Sequence, residues 1–181
     1  MATVTLNGKP MHTCGELPHP GHPTPPFTLT RTDLSELTSV DLEGKRVLLS
    51  IFPSLDTATC AQSVRTFNAL AVDLSDAVLL CVSMDLPFAQ GLFCGSQSLQ
   101  RAVPVSAFRH AAFGKAFGVT LVDGPMRGLF ARAVVALDEN GTVVHTELVP
   151  ELTREPDYEL AIHRIRDRHH PCPEDALEGT D

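Results

Sequence analysis

The chain has 181 residues, of which 43% are hydrophobic, and its formal net charge is -8 at pH 7. This size suits one globular domain with a single core, and the acidic balance argues against nucleic acid as a partner. No apolar run reaches the roughly 20 residues that span a bilayer, and the N-terminus lacks a basic region followed by an apolar signal core. We therefore expect a soluble, cytoplasmic protein with no membrane partner.

The N-terminal segment predicts a β-hairpin over about residues 3–13. Apolar and polar residues alternate around Asn7-Gly8, and an Asn-Gly pair is the strongest short hairpin signal. Residues 15–26 hold five prolines and two glycines, a composition that supports neither a strand ladder nor a helix interior. An extended connector is predicted there, followed by an acidic, turn-rich stretch.

The middle of the chain has the rhythm of a βαβ unit. Residues 46–52 and 77–84 are continuous apolar runs of strand length, which predict strands buried on both faces. Apolar residues at helical spacing predict a helix over roughly residues 58–74. Residues 103–106 are a weaker third strand, and we expect a loop and a short helix carrying Cys94 before it.

The last predicted elements are a β-hairpin and a closing helix. Residues 131–137 and 142–149 flank a turn that ends in Asn140-Gly141, which predicts an antiparallel hairpin. Pro156 and Asp157 then begin a closing helix. This order is expected of a thioredoxin-like α/β sandwich. We expect one domain over residues 1–166 and a polar, frayed tail over 167–181.

Five cysteines are present, and no two of them form a CxxC pair. The odd count and the spacing argue against a disulfide scaffold or a zinc ribbon. In a reducing compartment such cysteines are either buried hydrophobic residues or reactive thiols. Cys60 stands out because it lies in the first turn of the predicted helix.

A helix start suits a nucleophilic cysteine. The nucleophilic form of cysteine is the thiolate, whereas a free cysteine with a pKa of about 8.5 is mostly protonated at neutral pH. The free N–H groups and the dipole at a helix N-terminus favour an anion by roughly 0.3 to 2 kcal/mol. Thr57 can cap this helix, and Pro53 can end the preceding strand and shield the thiolate. From these residues alone, Cys60 as an ordinary buried cysteine remains the alternative.

Pro53, Thr57 and Cys60 match the Pro-x-x-x-Thr/Ser-x-x-Cys signature, and in this the chain resembles the peroxiredoxins. The N-terminal hairpin and several further segments are similar to the thiol peroxidase (Tpx-type, atypical 2-Cys) branch. These segments are residues 52–68, 85–90, 93–95, 123–125, 131–135 and 155–158. The resemblance covers roughly residues 1–166 and implies a thioredoxin-like peroxiredoxin sandwich with an added N-terminal hairpin.

The resemblance also implies a division of roles. Cys60 would be the peroxidatic cysteine, and Arg132 matches the family's arginine, which would stabilise the thiolate and hydrogen-bond the peroxide. Cys94 matches the resolving cysteine, which implies an intramolecular Cys60–Cys94 disulfide formed from a sulfenic acid. We expect local unwinding before the two sulfurs reach disulfide geometry.

The partners follow from the same resemblance. They are a hydroperoxide substrate, thioredoxin as reductant and a second copy in a homodimer, with no metal, haem or flavin because the sulfur chemistry supplies both redox steps. Two other functions stay open at this point. One is a peroxide sensor or redox relay that passes its disulfide to another protein, and the other is a holdase-like binding module that does not need Cys60.

The remaining candidates carry less chemistry. Cys81 is expected in the core, and Cys14 matches no functional position of the branch. A metal site would need His163, His169, His170 and Cys172, whose spacing lacks a close cysteine pair and whose tail does little to preorganise them. Four apolar residues either line an approach that favours organic hydroperoxides or pack in the core; these are Phe52, Leu55, Leu86 and Phe88.

Overall fold

The computed structural model describes residues 1–74 and 76–167, and the strands of this part form two sheets. The smaller sheet is a hairpin of β1 (Thr3–Leu6) and β2 (Lys9–His12). The larger sheet has seven strands in the order β4-β3-β7-β6-β5-β8-β9. Its strands are β3 Thr28–Arg31, β4 Glu36–Thr38, β5 Arg46–Ile51, β6 Ala77–Ser83, β7 Ala102–Ser106, β8 Ala133–Leu137 and β9 Val143–Leu148.

The centre of the large sheet is parallel and its margins are antiparallel. β6 pairs in parallel with β5 and with β7, whereas β8 pairs antiparallel with β5 and with β9. The β3–β4 pair closes the other side through an antiparallel contact of β3 with β7. The carboxyl ends of β5 and β6 therefore lie at the same edge as the beginning of β8.

Four α-helices cover the two faces of this sheet within the described residues: α1 Ala58–Leu70, α2 Pro87–Gln97, α3 Ala112–Ala116 and α4 Tyr158–Arg166. On one face, Leu48 of β5 packs with Phe67 of α1 and Ile162 of α4. On the other face, Leu49 packs with Phe113 of α3. Successive residues of β5 are thus buried on opposite faces, which explains its continuous apolar sequence. The predicted α/β sandwich is confirmed.

The predicted N-terminal hairpin is confirmed as well. Asn7 and Gly8 both have positive φ, at 52° and 76°, as a tight two-residue hairpin turn requires. The carboxylate of Glu151 holds this turn, because it accepts hydrogen bonds from the N–H groups of Asn7 and Gly8, each at 3.0 Å, and from Oγ1 of Thr5 at 2.7 Å. The hairpin is therefore attached to the segment that follows β9.

Several boundaries differ from expectation. The predicted turn-rich stretch contains β3 and β4, which are short, partly polar strands joined by a turn with Leu34 at a φ of 69°. The helix predicted over 58–74 ends at Leu70 and continues as a 3-10 turn over Ala71–Asp73. The helix that carries Cys94 is a full 11 residues long. Most of the predicted tail, residues 168–181, lies outside the described residues.

No helix within residues 1–74 and 76–167 is long and apolar enough to cross a membrane.

Candidate active site

Cys60 lies in the first turn of α1, as predicted, and its side chain is completely buried. The chain leaves β5 at Ile51, passes through the buried Pro53 and enters the helix at Thr57, the N-cap residue. Oγ1 of Thr57 accepts a hydrogen bond from the backbone N–H of Cys60 at 3.3 Å. The threonine thus satisfies one of the free N–H groups of the helix start and fixes the backbone beneath the sulfur.

Arg132 reaches the sulfur from the neighbouring strand. It immediately precedes β8, whose first residue, Ala133, is paired with Ile51 at the end of β5. Nη2 of Arg132 lies 3.4 Å from Sγ of Cys60 and also donates to the carbonyl oxygen of Leu152 at 3.0 Å. The side chain is only 2% exposed, so this positive charge acts on the thiol with little screening by water.

The other donors of Arg132 show how completely this guanidinium is enclosed. Nη1 lies 3.5 Å from Oγ of Ser63, one turn after Cys60 on α1. Among the described residues, Nε is buried and has no hydrogen-bond partner. A buried N–H without an acceptor is costly, which makes it a candidate donor to a bound oxygen or a water molecule.

Ser63 and Tyr158 extend the site toward α4. Oγ of Ser63 donates to the carbonyl of Thr59 at 2.9 Å and lies 3.0 Å from the hydroxyl of Tyr158. Burial raises the pKa of Tyr158 to about 12, so this hydroxyl stays protonated at neutral pH. Ser63 and Tyr158 both lie inside segments similar to thiol peroxidases but received no role from the sequence. Sequence reasoning missed the carbonyl of Leu152 entirely.

Cys94 lies in the second half of α2, on a different element from Cys60. It is half-buried, and like Cys14, Cys60 and Cys81 it is a free thiol in this structure. Burial raises the pKa of Cys94 to about 11, so in this conformation it is a neutral thiol at pH 7. Its neighbour Phe93 packs against the apolar cluster that contains Cys60, so α2 covers the same face of the sheet as α1.

The structure also locates the other candidate residues predicted from the sequence. Cys81 is buried in β6, where desolvation raises the pKa of its thiol. Phe52 and Leu55 belong to the core, whereas Leu86 and Phe88 are 45% and 67% exposed at the start of α2. His163 on α4 faces Asp167 at 3.4 Å. The described residues contain no cluster of His, Cys, Asp and Glu that would hold a metal, and His169, His170 and Cys172 lie outside them.

Comparison with known proteins assigns the chain to a family. The Redoxin family profile matches residues 19–162, most of the chain. The chain belongs to the Redoxin family. It is 54% identical over 162 residues to the thiol peroxidases of Mycobacterium tuberculosis and Mycobacterium bovis, which covers 90% of this chain and 97% of each relative. These matches confirm the predicted resemblance to thiol peroxidases.

Solved structures of this redoxin's relatives agree in fold. A peroxiredoxin-like protein from Aquifex aeolicus superposes with a TM-score of 0.87 at 33% identity, covering 92% of this chain and 96% of that one. A thiol peroxidase from Chromobacterium violaceum superposes with a TM-score of 0.82 at 18% identity, covering 87% of this chain and 91% of that one. The thioredoxin-like fold is confirmed, and the enzyme class is that of a peroxidase oxidoreductase.

Proposed function

We propose that this redoxin reduces hydrogen peroxide and organic hydroperoxides with the thiolate of Cys60. The observation that carries the proposal is the buried guanidinium of Arg132, whose Nη2 lies 3.4 Å from Sγ of Cys60 at the start of α1. A fixed positive charge and a helix N-terminus converge on one sulfur, and both stabilise an anion there. A peroxidase function that uses a thiol also agrees with the name of the relatives, thiol peroxidase.

The first chemical step joins sulfur to oxygen. The Cys60 thiolate attacks the terminal oxygen of the hydroperoxide, the S–O bond forms and the O–O bond breaks. The thiolate loses two electrons and becomes a sulfenic acid, while the departing alkoxide or hydroxide takes up a proton and leaves as alcohol or water. Donors from Arg132 stabilise the charge that develops on the departing oxygen. Pro53 shields the site, and Thr57 holds the helix start.

The second step forms a disulfide. The thiol of Cys94 attacks the sulfur of the Cys60 sulfenic acid, water is released, and a Cys60–Cys94 bond forms. A dithiol donor, which we propose to be thioredoxin, then reduces this bond and restores both thiols. The protein works as a cytoplasmic homodimer and needs no metal, haem or flavin in this scheme.

A coupled assay tests this function. Thioredoxin, thioredoxin reductase and NADPH are mixed with the protein, and NADPH loss is followed with hydrogen peroxide and with cumene hydroperoxide. We expect turnover with both peroxides for the wild type. The Cys60→Ser variant should lose it completely, and Cys94→Ser should lose thioredoxin-coupled turnover. Cys14→Ser is the matched control, because Cys14 lies outside the proposed chemistry, and it should keep wild-type rates.

The results separate the alternatives. No turnover by the wild type with either peroxide would contradict the proposed function. A single oxidation of Cys60 followed by a stall would favour a sensor or relay that hands its disulfide to another protein. Full activity of Cys94→Ser would keep Cys60 as the nucleophile and remove Cys94 as its resolving partner.

A further inference from the structure

A polar cluster lies beneath the loop that leads into Cys60. The carboxylate of Asp85, just after β6, accepts a hydrogen bond from Oγ of Ser54 at 2.7 Å and from the backbone N–H of Leu55 at 2.8 Å. Both residues belong to the loop between β5 and α1, which carries Pro53 and Thr57. A carboxylate on the neighbouring strand end therefore fixes the loop that places the reactive cysteine.

The same carboxylate is linked to the helix that carries Cys94. Oγ of Ser83 donates to Asp85 at 2.7 Å and accepts from Nε2 of Gln90 at 3.0 Å. Gln90 is fully buried in the first turns of α2, and its Nε2 also donates to the carbonyl of Val105 on β7 at 3.0 Å. Asp85, Ser83 and Gln90 thus form a continuous connection, called here the Asp85 latch, between the Cys60 loop and α2.

Few other contacts hold α2: Phe93 packs against the cluster that contains Cys60, and Oε1 of Gln97 accepts a hydrogen bond from Nη1 of Arg65 at 3.3 Å. Its N-cap, Leu86, makes no side-chain hydrogen bond, and Pro87 and Gln90 are its buried residues. Gly91 and Gly95 each weaken a helix by about 1 kcal/mol relative to alanine. The helix ends at Ser98 in the left-handed region, with a φ of 51°. The hydrogen bonds of Gln90 are therefore a principal anchor of this helix.

We propose that the Asp85 latch holds the Cys60 loop and α2 in their closed arrangement and thereby sets how fast Cys94 reaches oxidised Cys60. This inference rests on the proposed function. Cys60 and Cys94 lie on separate intact helices, and a disulfide requires Cα atoms about 4.4–6.8 Å apart. Opening the latch frees α2 to unwind. Asp85 and Gln90 are positioning residues that act through the loop and the helix.

The latch controls a competition at Cys60. The sulfenic acid either condenses with Cys94, releasing water, or reacts with a second peroxide, which oxidises it to a sulfinic acid. A firm latch keeps α2 closed and leaves the Cys60 sulfenic acid without its partner thiol for longer. A weaker latch favours the disulfide.

Two substitutions test the latch at its two ends. Gln90→Met keeps the length of the side chain but removes both hydrogen bonds of Nε2. Asp85→Asn keeps the shape of the carboxylate but loses its charge and at least one acceptor. Asp33→Asn is the matched control, because Asp33 also accepts from a serine N–H and hydroxyl, those of Ser35, in a turn between β3 and β4.

Each variant is oxidised with a series of peroxide concentrations in the absence of reductant. Peptide mass spectrometry gives the ratio of Cys60–Cys94 disulfide to Cys60 sulfinic acid, and peroxide loss in a single turnover gives the reactivity of Cys60. Gln90→Met loses two hydrogen bonds but also removes the buried Oε1, which has no partner among the described residues, so we take the net loss as that of one hydrogen bond, about a fivefold change in an equilibrium. For Gln90→Met we expect the peroxide concentration that gives equal disulfide and sulfinic acid to rise about fivefold, with the first turnover unchanged.

Asp85→Asn should show the same shift and a slower first turnover, because Ser54 and Leu55 lose part of their anchor. Asp33→Asn should match the wild type in both readouts. A wild-type ratio in Gln90→Met would overturn the latch, even if its melting temperature fell, and this variant decides the matter if Asp85→Asn does not fold. A wild type that consumes no peroxide would instead overturn the proposed function.

Discussion

The two helices that carry Cys60 and Cys94 differ in how firmly they are anchored. α1 begins with a side-chain cap from Thr57, buries five of its side chains and contains neither glycine nor proline inside its bounds. α2 has no side-chain cap, buries only Pro87 and Gln90 and contains two glycines. In the proposed mechanism, the attacking thiol of Cys60 is thus held in place by fixed donors, whereas the resolving thiol of Cys94 lies on a helix with fewer anchors.

The two thiols also differ in their burial and in the charges around them. Cys60 is enclosed and has the guanidinium of Arg132 on its sulfur. Cys94 is half-buried, and burial raises its pKa to about 11. A neutral thiol is a weak nucleophile, so in the proposed mechanism Cys94 gains reactivity when α2 unwinds and water reaches it. We propose that closed α2 favours the attack on peroxide and that open α2 allows the disulfide to form.

Removing the guanidinium of Arg132 should have the largest effect on the reaction of Cys60, the thiol on α1. Arg132→Gln keeps a polar side chain but loses the positive charge and most of its donors. Loss of one donor of this kind costs about 10²–10³ in rate, and we expect the second-order rate constant for peroxide to fall by about that factor. Stopped-flow measurement of peroxide loss checks it, with the partly exposed Arg31→Gln as control. A fall of less than threefold would contradict the role given to Arg132.

Making α2 resemble α1 should slow disulfide formation. A Cβ added at Gly95 meets no atom within 4 Å, and alanine there stabilises a helix by about 1 kcal/mol. We expect Gly95→Ala to form the Cys60–Cys94 disulfide about fivefold more slowly and to give more sulfinic acid, while Cys60 reacts with peroxide at the wild-type rate. Thiol alkylation at timed intervals measures this. An unchanged rate would show that unwinding of α2 does not limit the step.

Removing the cap should make α1 resemble α2. Thr57→Ala leaves the N–H of Cys60 without its acceptor, and loss of such a cap lowers the free energy of unfolding by about 1 kcal/mol. Thr57→Ser keeps a hydroxyl at the same place and should stay within a few tenths of a kcal/mol of the wild type. Urea unfolding at neutral pH compares the three proteins. Equal loss in both variants would mean that the hydroxyl is not the source of the stability.

Glu151, which anchors the N-terminal hairpin, should make a smaller contribution to the stability of the protein, and this contribution should be lost in acid. Hydrogen bonds from Gly8 and Thr5 lower the pKa of Glu151 to about 2, below its ordinary value of 4.5. Its contribution to stability is therefore present above about pH 4.5 and is lost as the pH falls toward 2. We expect Glu151→Gln to be less stable than the wild type at pH 6 and equal to it near pH 2. A difference that persists at pH 2 would contradict this assignment.

Much of the fold is readable from the chain, because the evidence for it is local. Buried strands β5 and β6 are continuous apolar runs, and Asn7-Gly8 specifies its turn directly. β3 and β4 escaped prediction since they are short and partly polar and turn at Leu34, a residue that rarely adopts a positive φ. β3 also pairs with β7, which is distant in the chain, and no local pattern reveals this pairing.

The candidate site was likewise predicted only in part from the sequence. Pro53, Thr57 and Cys60 form a short motif at a predicted helix start, and Arg132 followed from the resemblance to peroxiredoxins. The Asp85 latch received no role, although residues 85–90 lie in a segment similar to thiol peroxidases. Its contact with Ser54 and Leu55 joins the ends of two parallel strands, whose register the sequence does not give. The carbonyl of Leu152 carries no side-chain signal at all. A signal for the latch does exist, since Ser83 and Gln90 are polar residues at buried positions.

The most direct test of the division between the two cysteines is a peptide map of the wild-type protein after one equivalent of peroxide, without reductant. We predict a single dominant product in which Cys60 is joined to Cys94. Consumption of the peroxide with Cys60 left as a free thiol, or a dominant disulfide from Cys60 to Cys14, Cys81 or Cys172, would contradict the account.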